Sequence, residues 1–297
     1  MNGILCVNKP EGWTSFDVVA KVRGIAHTRK VGHAGTLDPM ATGVLPLFLG
    51  IATKACDVMP GEDKAYRATF RLGMTTTTQD RTGEVLTQTP SAVTEEQLRA
   101  ALLSFCGEIE QIPPMYSAVQ VNGRRLYDLA RAGREVERKP RKVIIYALSL
   151  LSFDEEHQTG VLDVRCSKGT YIRTLCHDLG AALGVGATLT ALERYEAGNF
   201  SLSDCYTIEE LQQFEEQGIL EEKVLPVEQV FLQLPKIRLN AVQSVKFQNG
   251  VKLDLNRVRY KKVDGLHRVF DADNHFLGLA TLNLQTMELV IAKMFYR

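Results

Sequence analysis

The sequence predicts an α+β fold in two parts, and three observations point to it. Alternation of apolar and polar residues marks half-buried strands, most clearly in Tyr66-Arg67-Ala68-Thr69-Phe70-Arg71-Leu72. Capping boxes mark helix starts at Thr94-Glu95-Glu96-Gln97 and Thr207-Ile208-Glu209-Glu210. After Leu234-Pro235 the texture changes to short alternating strands separated by Asn249-Gly250, Asp264-Gly265 and Asp273-Asn274, the pattern of a small β-rich domain over 235–297. A chain of 297 residues is long enough for one large domain or for two, and the boundary at 234 divides it into 1–234 and 235–297.

Taken in order, Gly3 to Asn8 reads as a strand broken by Lys9-Pro10-Glu11-Gly12. A helix follows with Ser15 as its N-cap and Phe16, Val19, Val22 and Ala26 at helical spacing. Residues 28–50, rich in Gly and Pro with little helical period, read as loop and turn. The helix opened at Thr94 is expected to end at Gly107. Residues 113–142 begin with Pro113-Pro114 and end in a basic run, with one short helical piece near Leu126–Ala132, and read as an excursion from the core. Strands return at 143–153 and 160–167, followed by a helix from Thr170 to Leu183 and the acidic helix opened at Thr207.

Composition narrows the function classes. Hydrophobic residues make up 45% and charged residues 24%, which excludes disordered and collagen-like chains. No apolar run reaches the ~18 residues of a membrane span, and no basic stretch followed by a long apolar run opens the chain, so a cytoplasmic protein without a signal peptide is expected. The six cysteines are widely spaced with no CxxC pair, which fits reduced thiols and argues against a disulfide framework or zinc ribbon. Net charge is zero but segregated: residues 121–143 carry +5, 235–297 carry +6 and 204–222 carry −7. Such a chain can present a polyanion-binding face, and scattered solvated charge is the alternative.

The motifs for nucleotide phosphates, dinucleotides, zinc proteolysis and serine hydrolysis, GxxxxGK[ST], GxGxxG, HExxH and GxSxG, are absent. Cys176-His177-Asp178 lacks a second ligand pair and reads as helix packing with a surface polar residue. The sharpest local feature is Asp38. Pro39 disfavours helical backbone at Asp38, while Gly32, Gly35 and Gly43 allow tight turns around it. A carboxylate on such a loop can serve as a nucleophile or cap the next turn.

Gly32-His33-Ala34-Gly35-Thr36-Leu37-Asp38-Pro39-Met40-Ala41-Thr42-Gly43-Val44-Leu45-Pro46 resembles the catalytic motif of the bacterial tRNA pseudouridine synthase B family, which isomerises the T-loop uridine at position 55 of tRNA. Other stretches agree in order: Asn8 to Ser15, Asp63-Lys64-Ala65-Tyr66-Arg67, Pro113 to Ala118, Asn122 to Tyr127, and Cys166 to Leu175. The tail from Gly250 through Asp271 and Gly278 resembles a PUA domain. The resemblance covers nearly the whole chain. One departure is Thr77, where the family usually has Asp between the threonines, so no role is implied for that position.

The resemblance implies a pseudouridine-synthase-type mixed, largely antiparallel sheet with flanking helices, an RNA-gripping insertion at about 113–142, and a small β-barrel-like PUA domain. It implies Asp38 as nucleophile, Arg173 as the cation that keeps it ionised, and Tyr66 against the target uracil, where it also moves a proton. Tyr171 and Leu192 resemble the uracil-pocket walls, His33 the histidine near the extruded base, and Lys168 a contact to phosphate or to the active-site carboxylate. Lys9 and Pro10 match the family and read as structural. Read alone, Arg173 is a surface helix residue, Tyr66, Tyr171 and Leu192 are ordinary core residues, His33 is a polar loop residue, and Lys168 is an exposed lysine. Isomerisation needs neither redox change nor net hydrolysis, so no cofactor and no metal are expected. The implied partner is the T arm of tRNA, and the protein is expected to act as a monomer with no protein partner. Two other readings stay open: a non-catalytic RNA-binding or RNA-chaperone protein, and an Asp-nucleophile enzyme acting on glycosidic bonds. The latter normally needs two carboxylates about 5–9.5 Å apart, and the motifs offer Asp38 no obvious second acid.

Overall fold

A computed structural model describes residues 1–297 except 61, 62, 118, 122, 261, 262, 264, 296 and 297, and except the side chains of 120, 121, 125 and 131. Ala118 and Asn122 of the motifs, Asp264 of the second C-terminal turn, Lys261, Lys262 and Arg297 of the basic tail, and the side chains of Arg125 and Arg131 therefore lie outside the described residues.

From the N-terminus the elements are β1 (Gly3–Lys9), α1 (Ser15–Ile25), β2 (Val31–His33), β3 (Ala41–Leu49), β4 (Lys64–Leu72), β5 (Met74–Thr76), β6 (Val85–Gln88), α2 (Glu95–Leu102) and β7 (Gly107–Gln111). Next come β8 (Gln120–Val121), β9 (Arg124–Arg125), α3 (Leu126–Arg131), β10 (Arg141–Asp154), β11 (Thr159–Cys166), α4 (Ile172–Ala182), β12 (Ala187–Ala197), β13 (Phe200–Ser201) and α5 (Ile208–Glu216). The chain closes with β14 (Lys236–Arg238), α6 (Ala241–Gln248), β15 (Leu253–Asp254), β16 (Leu266–Phe270), β17 (Phe276–Asn283) and β18 (Glu288–Met294).

A nine-stranded sheet runs β1-β3-β12-β4-β11-β10-β7, with β2 joined to β3 and β13 to β12. Its pairs are antiparallel except β3–β12, so the sheet is mixed and largely antiparallel. Leu5, Leu45 and Leu47 of β1 and β3 pack against Val18 and Val22 of α1 and Leu211 of α5. Phe70, Leu162 and Leu189 of β4, β11 and β12 pack against Leu98 of α2 and Leu175 and Leu179 of α4. The C-terminal elements form a second sheet, β14-β16-β17-β18-β15, curled as half of a barrel. The two sheets meet at a shared apolar seam: Phe231 lies 6.1 Å from Phe276 and 5.7 Å from Phe295, and this trio belongs to one cluster with Val44 and Phe48 of β3.

Several expectations are corrected. Residues 28–50 are not all loop: they contain β2 and the nine-residue β3, which is too fully buried to show alternation. Gly43 on β3 has φ +104°, and a Cβ there would come within 2.2 Å of the Arg194 carbonyl oxygen, so the close approach of β12 requires glycine. The helix α1 is capped by Thr14, not Ser15; Thr14 and Asp17 make the capping box, while the Ser15 hydroxyl is drawn into the core by Leu37. Phe16, expected on the buried face of α1, is 62% exposed; Val18, Val19, Val22 and Ile25 form that face. The helix α2 passes after Leu102 into a 3-10 turn over Leu103–Phe105, and Gly107 (φ +88°) follows just beyond it as expected, where it also opens β7. The C-terminal part also contains a helix, α6, with its own capping box at Asn240 and Gln243.

Candidate active site

The loop carrying Asp38 is tied down on both sides of that residue. The Ser15 hydroxyl accepts from the Leu37 N–H at 2.9 Å and donates to the Leu37 carbonyl at 3.2 Å. The Gly12 N–H donates to the Pro39 carbonyl at 2.8 Å, and the Ala41 N–H donates to the Asp38 carbonyl at 3.0 Å. Fully buried Lys9 adds a clamp: its ammonium donates to the carbonyls of Pro10, Trp13 and Pro39 at 2.8, 2.6 and 3.2 Å. Burial brings the Lys9 pKa down to about 8.

Opposite the loop, α4 begins after a turn at Gly169 (φ +81°), and Gln111 anchors Tyr171 by accepting its N–H at 2.9 Å and donating to its carbonyl at 3.2 Å. Arg173, second residue of α4, is 4% exposed and reaches Asp38 with two nitrogens, Nε to Oδ2 at 2.9 Å and Nη2 to Oδ1 at 3.2 Å. It also donates to the carbonyls of Thr78 at 3.0 Å and Tyr116 at 2.8 Å. A cation in the first turn of a helix opposes the helix dipole, and the carboxylates around it reverse that sign.

The second of these carboxylates is Asp80, 3.5 Å from Arg173 and 5% exposed. It accepts from the hydroxyls of Thr78 and Thr82 at 2.8 and 2.5 Å and from the Thr82 N–H at 2.9 Å. Asp80 is not among the residues the sequence analysis assigns to the site, although an acid beside hydroxyls in a turn was its signal. The structure thus provides the second acid that the motifs lacked. The donors hold its Oδ1 while its Oδ2 faces Arg173, which it orients, and it lines a second cavity of about 520 Å³ together with Asp38, Tyr116 and Arg173.

A cavity of about 230 Å³ opens over Asp38, lined among others by Lys64, Tyr66, Tyr116, Tyr171, Arg173 and Leu192. Five of the seven residues expected at the site, Asp38, Tyr66, Tyr171, Arg173 and Leu192, therefore share one cavity. Asp38 is a third exposed there, at 34% of its side chain, while Tyr66 and Leu192 are buried walls contributed by β4 and β12. Burial raises the Asp38 carboxyl above its ordinary value; Arg173 opposes the rise, Asp80 adds to it, and Lys9 opposes it weakly. Burial likewise raises the Tyr66 hydroxyl, and Arg194 opposes that rise.

Two expected residues lie outside the cavity lining. His33, on β2, is half-buried with its ring edge-on to Phe16 at 5.7 Å; burial and then Arg194 lower its pKa. Lys168 is exposed on the turn just before Gly169. Cys176 is buried in the core with its thiol pushed up to about 12, as a packing residue would be. Among the described residues one trio, Asp271, Asp273 and His275, brings possible metal-ligand atoms within 4.8 Å of one another, in the β16–β17 turn. Its groups are already joined, His275 Nδ1 lying 3.1 Å from Asp271 Oδ2, and it is remote in sequence and fold from Asp38.

Comparison with known proteins matches the TruB family pseudouridylate synthase N-terminal domain to residues 23–172 and the tRNA pseudouridylate synthase B C-terminal domain to 173–232. The C-terminal domain described for pseudouridine synthase II TruB matches 235–285. The chain is 44% identical over 280 residues to a Clostridium kluyveri protein named tRNA pseudouridine synthase B, covering 94% of this chain and 95% of that one. The protein of the same name from Clostridium tetani is 44% identical over 292 residues, covering 98% and 99%. Among solved structures, a chain of a Cbf5–Nop10–Gar1 complex superposes with a TM-score of 0.77 at 25% identity, covering 99% of this chain and 85% of that one.

Proposed function

The chain belongs to the TruB family of pseudouridylate synthases, and from that premise we propose that it isomerises the T-loop uridine at position 55 of tRNA with Asp38 as nucleophile. The family's reaction converts uridine in tRNA to pseudouridine. One observation supports the assignment of the chemistry above all others: the Asp38–Arg173 pair at the floor of a cavity walled by Tyr66, Tyr171 and Leu192. A carboxylate raised by burial needs a cation to stay ionised, and a bidentate arginine both supplies charge and fixes the direction of attack. A protein that only bound RNA would have no use for an arginine desolvated against that carboxylate.

In this reading the uridine is flipped out of the loop, at a cost of a few kcal/mol in lost stacking and pairing. Its uracil lies against Tyr66, between Tyr171 and Leu192. Asp38 bonds to C1′ as the N1–C1′ bond breaks, the base rotates, C5 joins C1′ as the Asp38–C1′ bond breaks, and Tyr66 moves a proton. His33 stands near the extruded base, and exposed Lys168 meets phosphate. Residues 113–142 grip the T arm: Tyr116 and Ser117 line the cavity, while Arg124, Arg134 and Lys139 are exposed. The part from 235 onward acts as a PUA-like contact further along the stem. The protein works as a monomer, without cofactor or metal.

The test is tritium release from tRNA labelled at uridine C5, with the product position mapped. Asp38→Asn keeps shape and polarity and removes the charge, so release falls below detection while tRNA still binds. Substantial release from a preparation free of wild-type enzyme overturns the nucleophile; pseudouridine mapped elsewhere overturns the position.

A further inference from the structure

Arg194 is the largest fully buried side chain of the molecule among the described residues, at 0% exposure, and no carboxylate pairs with it there. Its Nε donates to the Val44 carbonyl at 2.8 Å and its Nη2 to the Gly35 carbonyl at 2.9 Å. The remaining nitrogen, Nη1, is buried without a hydrogen-bond partner. A buried charge left without a counter-ion is expensive, so its retention asks for a reason. Arg173 differs, having two carboxylates around it.

Arg194 has a defined target. On the β4–β12 ladder its Cα partner is Tyr66, so the two side chains leave the sheet on the same face as cross-strand neighbours. Around the Tyr66 hydroxyl, Arg194 from β12 favours the anion, while Cys166 from β11 and Asp38 from the loop oppose it; Lys64, two residues earlier on β4, lines the same cavity. A Cβ on Gly35 would meet Arg194 Nη1 at 3.2 Å, which places that nitrogen beside the cavity rim.

We propose that Arg194 is a positioning residue for Tyr66, holding its hydroxyl in place and stabilising it as the transient phenolate of a proton relay. This rests on the reading in which Tyr66 moves the proton. An Asp38 oxygen bonds to C1′ as the N1–C1′ bond breaks, the bonding pair leaves on N1, the Tyr66 O–H gives its proton to that nitrogen, and the phenolate stands against Arg194. Rotation brings C5 to the place N1 left. C5 then attacks C1′ and the Asp38–C1′ bond breaks, returning the free carboxylate, after which the C5 proton passes to the phenolate oxygen. N1 has gained a proton, C5 has lost one, and Tyr66 ends as the phenol it began as. One oxygen serves both transfers because the base turns beneath it, and only a fixed cation can serve that oxygen in both states.

The experiment is a double-mutant cycle on single-turnover rates at saturating tRNA, with melting curves for every variant. Arg194→Met lowers the rate by roughly a hundredfold, the scale of a lost proton-transfer catalyst, with little change in tRNA affinity, and Arg194→Lys restores part of it. In the Tyr66→Phe background the same substitutions have little further effect. In Arg194→Lys, uridine deuterated at C5 shows a larger isotope effect than in wild type, because C5–H cleavage has become slower. Should Arg194→Met not fold, the lysine variant completes the cycle. If the arginine variants lose the same factor with Phe at 66 as with Tyr, Arg194 acts elsewhere and the inference falls alone. If Tyr66→Phe retains the wild-type rate, the assignment of the proton to Tyr66 falls first.

Discussion

The nine-stranded and five-stranded sheets treat charge in opposite ways. The first buries Lys9, Asp80, Arg173 and Arg194, four ionisable groups converging on the strands and loops around Asp38. The second buries no lysine, arginine or carboxylate among its described residues, only His267 and Ser244 as polar groups, and leaves Lys246, Arg257 and Arg259 in solvent. Buried charge is costly and geometrically strict; solvated charge is cheap and adaptable. The difference separates a region built to fix the position of reacting atoms from one suited to long-range attraction of a polyanion.

Removing Arg173 attacks the strict region directly. Arg173→Met leaves Asp80 buried without its cation and Asp38 without its bidentate partner. Breaking a buried pair from one side costs about 3 kcal/mol or more, and loss of a preorganised charge partner costs roughly 10²–10³ in rate. The pH profile gives a sign that simple destabilisation does not. Burial already raises the Asp38 carboxyl, so the active, ionised form is lost on acidification at a pH above the ordinary Asp range of about 3.9. Arg173 opposes that rise, so its removal moves the acid limb of the single-turnover rate to higher pH. A limb that stays in place means Arg173 does not keep Asp38 ionised.

Lys9 separates holding the loop from doing chemistry. Its ammonium touches three carbonyls and no carboxylate oxygen within hydrogen-bonding distance. Lys9→Met strands those carbonyls at about 1–3 kcal/mol, a melting-temperature loss on the order of 5 °C. The loop keeps its bonds from Gly12, Ser15 and Ala41, so the rate well below the melting temperature falls by less than about tenfold. A loss as large as that of Arg173→Met would place Lys9 in the chemistry.

What could be read from the sequence was what short motifs hold: Asp38 before Pro39, the strand with Tyr66, and the turn leading to Arg173. Their meeting could not be read from residue patterns alone, because Asp38 and Arg173 are 135 positions apart. The strand β3 was obscured because burial on both faces removes alternation, and Gly43 and Pro46 look like turn residues. The strand β12 went unrecognised because Ala, Leu, Glu and Arg favour helices, a preference overridden by pairing with β3 and β4 on either side. Arg194 is invisible for the same reason: nothing local distinguishes a buried arginine from an exposed one. Ser15 and Thr14 are equally good caps in isolation, and only the contact with Leu37, 22 residues away, decides between them.

The smallest effect is expected on the adaptable side, and it sharpens the contrast with the buried charges. Deleting residues 235–297 is a poor test, because it would expose Phe231 where it packs on Phe276 and Phe295. Replacing Lys246, Arg257 and Arg259 together with glutamine leaves that seam intact, since all three side chains are exposed. If these residues meet RNA phosphates, each lost contact reduces the slope of log affinity against log salt by about 0.7–0.9. The triple variant therefore binds full-length tRNA more weakly at low salt and approaches wild type as salt rises. Its single-turnover rate at saturation stays within about twofold of wild type, because phosphate contacts position a protein without choosing the reacting base. A T-arm stem-loop too short to reach this sheet shows no difference between the two proteins. An unchanged salt slope on full-length tRNA would remove these residues from the interface. A collapse of the saturated rate would mean that the second sheet helps to assemble the first one's site, and the division between strict and adaptable charge would fail.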